Sequence, residues 1–323
     1  MSKYKSSILK LLHQNREQYL SGQRIAEQLS ISRTAVWKTI EMLKSQGFQV
    51  RSVHNKGYQL TGYPDEWDQD MMQLVTQQSD FFKQRFVYKE VSSTQTVAKE
   101  KMLEITEPFI VISEIQTKGR GRFNRQWNSM GEKGLWMTLV LSTEVPLHKI
   151  MTFNLFLSLA IARTIRTVGG VDAKVKWPND IYIDDRKCCG FLTEISGDAS
   201  AIHHIICGIG INLNHEIQDF PVELQQKATS IKAATGQSVN RYVFLEKLLS
   251  ELEIAYHQFL TEEFSAIKEE YKYYSNMWDR RLRYTEGRNT IEGQAIDILD
   301  DGRLVVRSDD GVIHQFISAD IEI

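Results

Sequence analysis

The chain has 323 residues, 42% of them hydrophobic and 25% charged, with a formal net charge of −2, an ordinary balance for a globular protein of about two domains with room for a small third. No apolar run approaches the ~20 residues that span a bilayer, and a charged amphipathic segment rather than a signal-peptide core follows Met1-Ser2-Lys3-Tyr4-Lys5-Ser6, so a cytoplasmic location is expected. The three cysteines, Cys188, Cys189 and Cys207, have neither disulfide-framework nor zinc spacing and should pack reduced, as small hydrophobes.

Residues 1–62 carry ten Lys or Arg against three Glu (Glu17, Glu27, Glu41), a balance of +7 that leaves −9 for the remainder. A basic unit on an acidic body predicts that only the first part meets a polyanion. Ile8, Leu11 and Leu12 recur at helical spacing, as do Ile25 and Leu29 after the Ser21-Gly22 start signal. A third helix begins at Ser32, whose hydroxyl suits an N-cap, and runs through Lys44 with Val36, Ile40 and Leu43 on its packed stripe. Arg33, Thr34, Trp37 and Lys38 then lie on or near the opposite face. The short turn Ser30-Ile31-Ser32 is a helix-turn-helix signature, in which the second helix presents its first residues to base edges in a major groove. Residues 48–50 and 58–60 read as strands around the turn His54-Asn55-Lys56-Gly57, the form of a winged hairpin with His54 and Lys56 at its tip. Ser32, Arg33, Thr34, Trp37, Lys38 and Lys56 are the candidate DNA contacts. A winged helix can also serve protein contacts alone; the +7 charge favours DNA. Tyr63-Pro64-Asp65 breaks the pattern and reads as a linker.

From about residue 80 strands alternate with helices. Residues 109–114 and 135–141 are β-rich runs, and residues 150–168 form a helical pattern with Phe153, Phe156, Leu157, Ala160, Ile161 and Ile165 on one side. Further strand candidates follow at 173–177, 187–195 and 202–212. This order predicts an α+β layer arrangement, a mixed sheet with helices against one face.

Three motifs lie among these elements. The first is Lys118-Gly119-Arg120-Gly121-Arg122-Phe123-Asn124-Arg125-Gln126-Trp127. Its glycines allow backbone N–H groups to approach a ligand closely, and its arginines supply forked donors for oxyanions. It lacks a terminal Gly-Lys-Ser/Thr, which disfavours a Walker nucleotide site; on this stretch alone a mobile basic hairpin is an equal reading. The second motif is Lys176-Trp177-Pro178-Asn179-Asp180, followed by Asp184-Asp185-Arg186-Lys187-Cys188-Cys189-Gly190. The third is Gly208-Ile209-Gly210-Ile211-Asn212-Leu213-Asn214; a lone Gly-Ile-Gly marks only close packing. Trp177 and Pro178 read as shaping a strand end, Asp184 and Asp185 as a solvated turn, and His203 and His204 as ordinary surface and interior residues. No Ser, His and acid arrangement suggests a hydrolytic triad.

In this order the three motifs, with Ser92-Ser93-Thr94-Gln95 and Gln116 upstream, resemble the biotin protein ligases. The resemblance spans nearly the whole chain, including the winged helix of the family's bifunctional members. It implies a central domain like those of class II aminoacyl-tRNA synthetases and biotin ligases, and a reaction in two halves. Biotin's carboxylate attacks the α-phosphorus of ATP, giving biotinyl-5′-AMP and pyrophosphate. A lysine of a biotin carboxyl carrier protein, of acetyl-CoA or pyruvate carboxylase, then attacks the mixed anhydride, so the enzyme supplies no nucleophile. Two unit anions at ~4 Å and an effective dielectric of ~20 repel by about 4 kcal/mol, so cations must gather at the reacting atoms.

The resemblance assigns Lys187 to both the biotin carboxylate and the phosphate, with Arg120 and Arg122 as its catalytic companions and Arg125 beside them. Ser93, Thr94, Gln116 and the backbone at Arg120 match positions that answer the ureido ring. Trp127, Gly190, Leu192, Gly208 and Gly210 would furnish apolar walls, and Gln95, Gly119, Gly121 and Ile209 complete the candidate ligand-binding set. Asn212 matches an adenine contact, with Trp127 able to stack on the purine. Asn179 and Asp180 would sit near the triphosphate, Asp180 as the candidate for magnesium arriving with ATP. Phe123-Asn124 departs from a more basic stretch in some members, which bears on loop packing.

Residues 241–260 form another helix, with Phe244, Leu245, Leu248, Leu249, Leu252, Tyr256 and Phe259 along one side. Short strands follow at 281–284, 290–298, 303–307 and 312–316, with turns at Asp300-Asp301-Gly302 and Asp309-Asp310-Gly311; the family implies an SH3-like barrel here. The expected domains are residues 1–63, 64–270 and 271–323. A DNA reader joined to a ligand-gated loop predicts that adenylate orders residues 118–127 and favours a homodimer on a two-fold operator, a biotin-responsive repressor. The rival readings are a lipoate-type ligase, a biotin-sensing repressor without ligase activity, which Lys187 and the loop arginines oppose, and a pure nucleic-acid-binding protein, which the −9 remainder opposes.

Overall fold

The computed structural model describes residues 4–76, 81–82, 84–198 and 200–322. The chain forms two compact units, Met1–Gln78 and Ser79–Ile323. No helix among the described residues is long and apolar enough to cross a membrane.

The first unit contains α1 (Lys5–Gln14), α2 (Gly22–Leu29), α3 (Arg33–Ser45), the antiparallel pair β1 (Gln49–Val53) and β2 (Gly57–Gly62), and α4 (Gln69–Thr76). Serines start two of its helices: Ser21 Oγ accepts from Arg24 N–H and Ser32 Oγ from Ala35 N–H, each at 3.1 Å. The apolar stripes of α1, α2 and α3 meet in a core of Ile8, Leu12, Ile25, Val36, Ile40 and Leu43. The wing turn needs its glycine: Gly57 has φ +108°, and a Cβ there would lie 2.0 Å from the Leu20 carbonyl oxygen, which accepts from Tyr58 N–H at 2.8 Å. Helix α4, which the apolar pattern did not announce, is fastened to α1 through Lys5, whose Nζ lies 2.7 Å from Asp68 and 2.8 Å from Asp70.

The second unit begins with β3 (Gln84–Val91), α5 (Thr94–Lys101), β4 (Phe109–Gln116), β5 (Gly134–Val145) and α6 (Ile150–Gly169). It continues through β6 (Lys174–Lys176), β7 (Asp180–Ile183), β8 (Arg186–Gly197), β9 (Ile202–Asn212), α7 (Ile231–Thr235), α8 (Arg241–Thr261) and α9 (Lys268–Tyr274). Seven strands make one mixed sheet in the order β3-β4-β5-β9-β8-β7-β6; β3 and β4 are parallel across α5, and the other pairs are antiparallel. The last part, β10 (Arg281–Glu286), β11 (Asn289–Ile298), β12 (Leu304–Ser308), β13 (Ile313–Phe316) and β14 (Asp320–Glu322), is a five-stranded antiparallel sheet ordered β13-β12-β11-β10-β14.

Strand alternation sorts the two faces of the large sheet. Leu139 and Leu141 of β5 meet Phe153 and Phe156 of α6 and Leu252 and Tyr256 of α8, so the two long helices cover one face. Val140 points the other way and packs with Ala98 of α5, Phe109, Val111 and Ile206. Because α5 is only eight residues long, it covers one end of that second face. The rest, where β8 and β9 carry their glycines, stays open.

Candidate active site

The open part of this face floors a cavity of about 830 Å³. At its α5 end lies a chain of buried hydrogen bonds. Thr94 donates to Gln116 Oε1 from both its backbone N–H (2.8 Å) and its hydroxyl (3.0 Å), and the Thr138 hydroxyl donates to Thr94 Oγ1 at 2.8 Å. Gln116 Nε2 donates to Ser129 Oγ at 3.2 Å, and Gln95 Nε2 donates to the Leu192 carbonyl at 3.0 Å. Ser93 is buried at the N-cap of α5, yet its hydroxyl does not cap that helix. Such a network fixes the direction of each polar group before any ligand arrives.

The floor is a glycine strip. A Cβ at Gly208 would lie 2.6 Å from Gln95 Cδ, one at Gly210 2.3 Å from Trp127 Nε1, and one at Gly190 2.9 Å from Lys187 Cε and 3.1 Å from the Trp127 ring. The Trp127 indole therefore rests directly on β8 and β9, and its buried N–H has no acceptor among the described residues. Gly119 is the one candidate ligand residue that does not line the cavity; a Cβ there would meet Ser129 Oγ at 2.5 Å, so it lets the loop close instead. The loop folds as a tight hairpin: Trp127 N–H donates to the Gly119 carbonyl at 3.0 Å and Gly121 N–H to the Arg125 carbonyl at 2.8 Å.

Cations form the opposite wall. A register shift between Ile181 and Tyr182 pairs Asp180 with Gly190 but Tyr182 with Lys187, so a bulge in β8 turns Lys187 and Gly190 to the same side. The segment at 227–229 satisfies the bulged backbone: Lys187 N–H donates to the Lys227 carbonyl at 2.8 Å and Thr229 N–H to the Lys187 carbonyl at 2.9 Å. Lys187 Nζ stands 2.7 Å from Asp180 Oδ1, an ion pair inside the cationic wall. Arg122 donates to Asn179 Oδ1 at 2.8 Å and to the Ser318 hydroxyl. Burial pulls its pKa down, while Asp180 and Asp320 favour its charge. Arg125 forks onto Asp320 of β14, one arm at 3.2 Å; that pairing raises the arginine and lowers the carboxyl. Asn212 gives its amide to the Thr229 carbonyl at 3.0 Å, which ties β9 to the segment behind Lys187.

The remaining sequence-derived candidates, Arg120, Gly121, Leu192 and Ile209, also line this cavity. Among the further lining residues, to which the sequence assigned no role, are Lys176, Tyr182, Lys227 and Asp320. Lys176 stood in a recognised motif and Tyr182 sits two residues beyond Asp180 on the same strand face, so both carried a signal. Asp320 carried none, because its partner Arg125 is 195 residues away. Trp177 is buried, its indole donating to the Gly302 carbonyl at 3.0 Å, which is the structural role expected of it. All three cysteines are free and buried.

In the first unit, Ser32 caps α3 while Arg33, Thr34, Trp37 and Lys38 are exposed along it, Trp37 to 54%. Lys56 is exposed at the wing tip, 5.9 Å from the Tyr19 ring centroid.

Comparison with known proteins supplies the relatives. Residues 87–212 match the biotin/lipoate A/B protein ligase family, residues 5–59 an HTH domain and residues 281–323 the biotin protein ligase C-terminal domain. The chain is 34% identical over 324 residues to the bifunctional ligase/repressor BirA of Bacillus spizizenii, spanning 100% of this chain and 99% of that protein. It is 27% identical to the Escherichia coli protein of the same name, over 95% of this chain and 93% of that one. Among solved structures, the biotin protein ligase of Aquifex aeolicus in complex with biotin and ATP superposes with a TM-score of 0.65 at 27% identity, covering 75% of this chain and 98% of that one.

Proposed function

The chain belongs to the family of bifunctional biotin protein ligases and repressors, and on that premise we propose how its residues divide the work. It is an ATP-dependent, AMP-forming biotin ligase that makes biotinyl-5′-AMP, passes biotin to a carrier-protein lysine, and represses transcription through its winged helix. The observation that carries the site assignment is the meeting of a polar end, a glycine floor and a cationic wall around one cavity.

At the polar end, Ser93, Thr94, Gln116 and the loop backbone near Arg120 answer biotin's ureido N–H and carbonyl groups, which a dry site must satisfy. Trp127 leaves the glycine strip when ligand enters and covers it from above, so Gly190, Gly208 and Gly210 give the bicyclic ring and valeryl chain their flat bed. Lys187 exchanges Asp180 for the biotin carboxylate and the α-phosphate, drawing together two groups that repel each other in water. Arg120, Arg122 and Arg125 neutralise the phosphates, and Asn212 lies toward the adenine. Closure of the arginine-glycine loop excludes water from the mixed anhydride until the carrier lysine arrives.

Magnesium fits as a companion of ATP. Once Lys187 turns to the carboxylate and phosphate, Asp180 can take one coordination position, and the described residues hold no cluster of three or more His, Cys, Asp or Glu, so phosphates and water would complete its shell. Bound there, the ion would shield charge on the nucleotide.

Transfer of labelled biotin to a carrier domain tests the assignment. Lys187→Ala should cut the rate by roughly 10²–10³-fold, as removal of a charge-stabilising donor does elsewhere. A variant within threefold of the parent would sink the role given to Lys187. Labelled lipoate, run in parallel, should not be transferred. Repression in the cytoplasm by a homodimer on a two-fold operator follows from the same reading. Sedimentation should show biotin and ATP together raising the dimer fraction; operator binding by monomers, indifferent to ligand, would refute it.

A further inference from the structure

Lys176 has no part in the scheme above, yet it is the most deeply buried lysine on the cavity wall, 8% exposed. Its Nζ donates to Tyr182 Oη at 2.8 Å and forms no ion pair among the described residues. The two carboxylates nearest in charge are already engaged: Asp180 lies against Lys187, and Asp320 is forked by Arg125. The neighbouring Arg122 and Lys187 add further positive charge. An ammonium withdrawn from water, beside other cations and without a counter-ion, is a standing cost to the folded chain. A fold keeps such a group where an anion from outside will complete it.

Its place in the sheet says which anion. The glycine floor lies on β9 and β8, and Lys187 rises from β8 beside it. Lys176 stands on β6, the edge strand two positions further, so roughly 10 Å beyond β8 at the usual strand spacing. Lys176 pairs with Asp180 across β6 and β7, and Tyr182 lies diagonally opposite on the same face. If Lys187 meets the carboxylate and the α-phosphate, a triphosphate running outward from it reaches Lys176 with its β- and γ-phosphates.

We propose that Lys176 is a further catalytic residue, one that receives the pyrophosphate as it leaves ATP, with Tyr182 as the positioning residue that aims it. The inference rests on the ligase reading and deepens it. In the step concerned, a biotin carboxylate oxygen forms a bond to the α-phosphorus. The bond from that phosphorus to the α,β-bridging oxygen breaks, and its electron pair leaves on the pyrophosphate. No proton moves. Charge grows on the departing oxygens, and the Lys176 ammonium meets it with N–H donors that Tyr182 leaves unused.

Pyrophosphate is absent from the second half-reaction, and that gives the test its signature. In the full-length chain, Lys176→Met should lower biotin-dependent exchange of labelled pyrophosphate into ATP by about 100-fold, the usual effect of losing one charge-stabilising donor. Transfer from supplied biotinyl-5′-AMP to a carrier domain should stay within about threefold, since no interaction specific to that step is removed. The melting temperature of the ligand-free variant should hold or rise, because an uncompensated charge has gone. Should Lys176→Met fail to fold, Tyr182→Phe decides: exchange should fall by about tenfold with transfer preserved, one neutral hydrogen-bond acceptor having been lost. Equal losses in both half-reactions, or loss in neither, would overturn the proposal. Wild-type protein that shows no biotin-dependent exchange would instead bring down the ligase reading beneath it.

Discussion

Gly210 and His215 show how single residues divide between ligand space and stability. A methyl at Gly210 would lie 2.3 Å from the Trp127 indole, but that ring sits on a loop and can swing aside. Gly210→Ala should therefore lose less than about 2 kcal/mol of stability while raising the KM for biotin about tenfold, because the methyl remains on the floor. Denaturant melts and exchange kinetics separate the two; a large stability loss with unchanged KM would contradict it. His215 is buried between Phe220, stacked at 5.3 Å, and Trp136 at 5.8 Å, and its Nδ1 has no partner among the described residues. Burial chiefly lowers its pKa, to about 4 from 6.5. The folded state holds this ring neutral where the unfolded state would protonate it, so stability is complete above pH 6.5 and falls as the pH drops toward 4. The full difference is about 3 kcal/mol. His215→Gln should lose less stability between pH 7 and pH 4.5 than the parent in paired urea melts. Parallel curves for the two proteins would rule this out.

At the scale of elements, strong periodicity was legible and short or half-buried segments were not. Helices α3, α6 and α8 fall where the apolar stripes put them. Helix α5 escaped notice because its eight residues carry just two apolar side chains, Val97 and Ala98. Strand β3 is half-buried along most of its length, which blurs the alternation, and β7 has only four residues before the Asp184-Asp185 turn, where both residues have positive φ. The exposed row on α3 makes its own prediction. Arg33→Ala and Lys38→Ala should each weaken operator binding and reduce the salt slope by about one, as expected for a lost phosphate contact. Pyrophosphate exchange should not change. A filter-binding slope that ignores both substitutions would remove this helix from the DNA interface.

Over the whole catalytic unit, the last strand of the chain reaches the mouth of the cavity. Ser318 and Asp320 hold Arg122 and Arg125 in place, so on the proposed reading less must be ordered when nucleotide binds. Asp320→Asn should raise the KM for ATP by about three- to tenfold and leave biotin binding intact, the effect of loosening one exposed charge pair. An unchanged or lower KM would mean that the carboxylate only repels phosphate. By itself the sequence determined the basic winged helix, the long helices and the order of the three motifs, because capping, periodicity and turn chemistry are written in neighbouring residues. Only the tertiary structure decided which side chains share the site. A bulge in β8 brings Lys187 round to the side of Gly190, against the strict alternation that would part them. The burial of Lys176 and the grip of β14 on the arginine loop are contacts between segments far apart along the chain, and no local pattern encodes them.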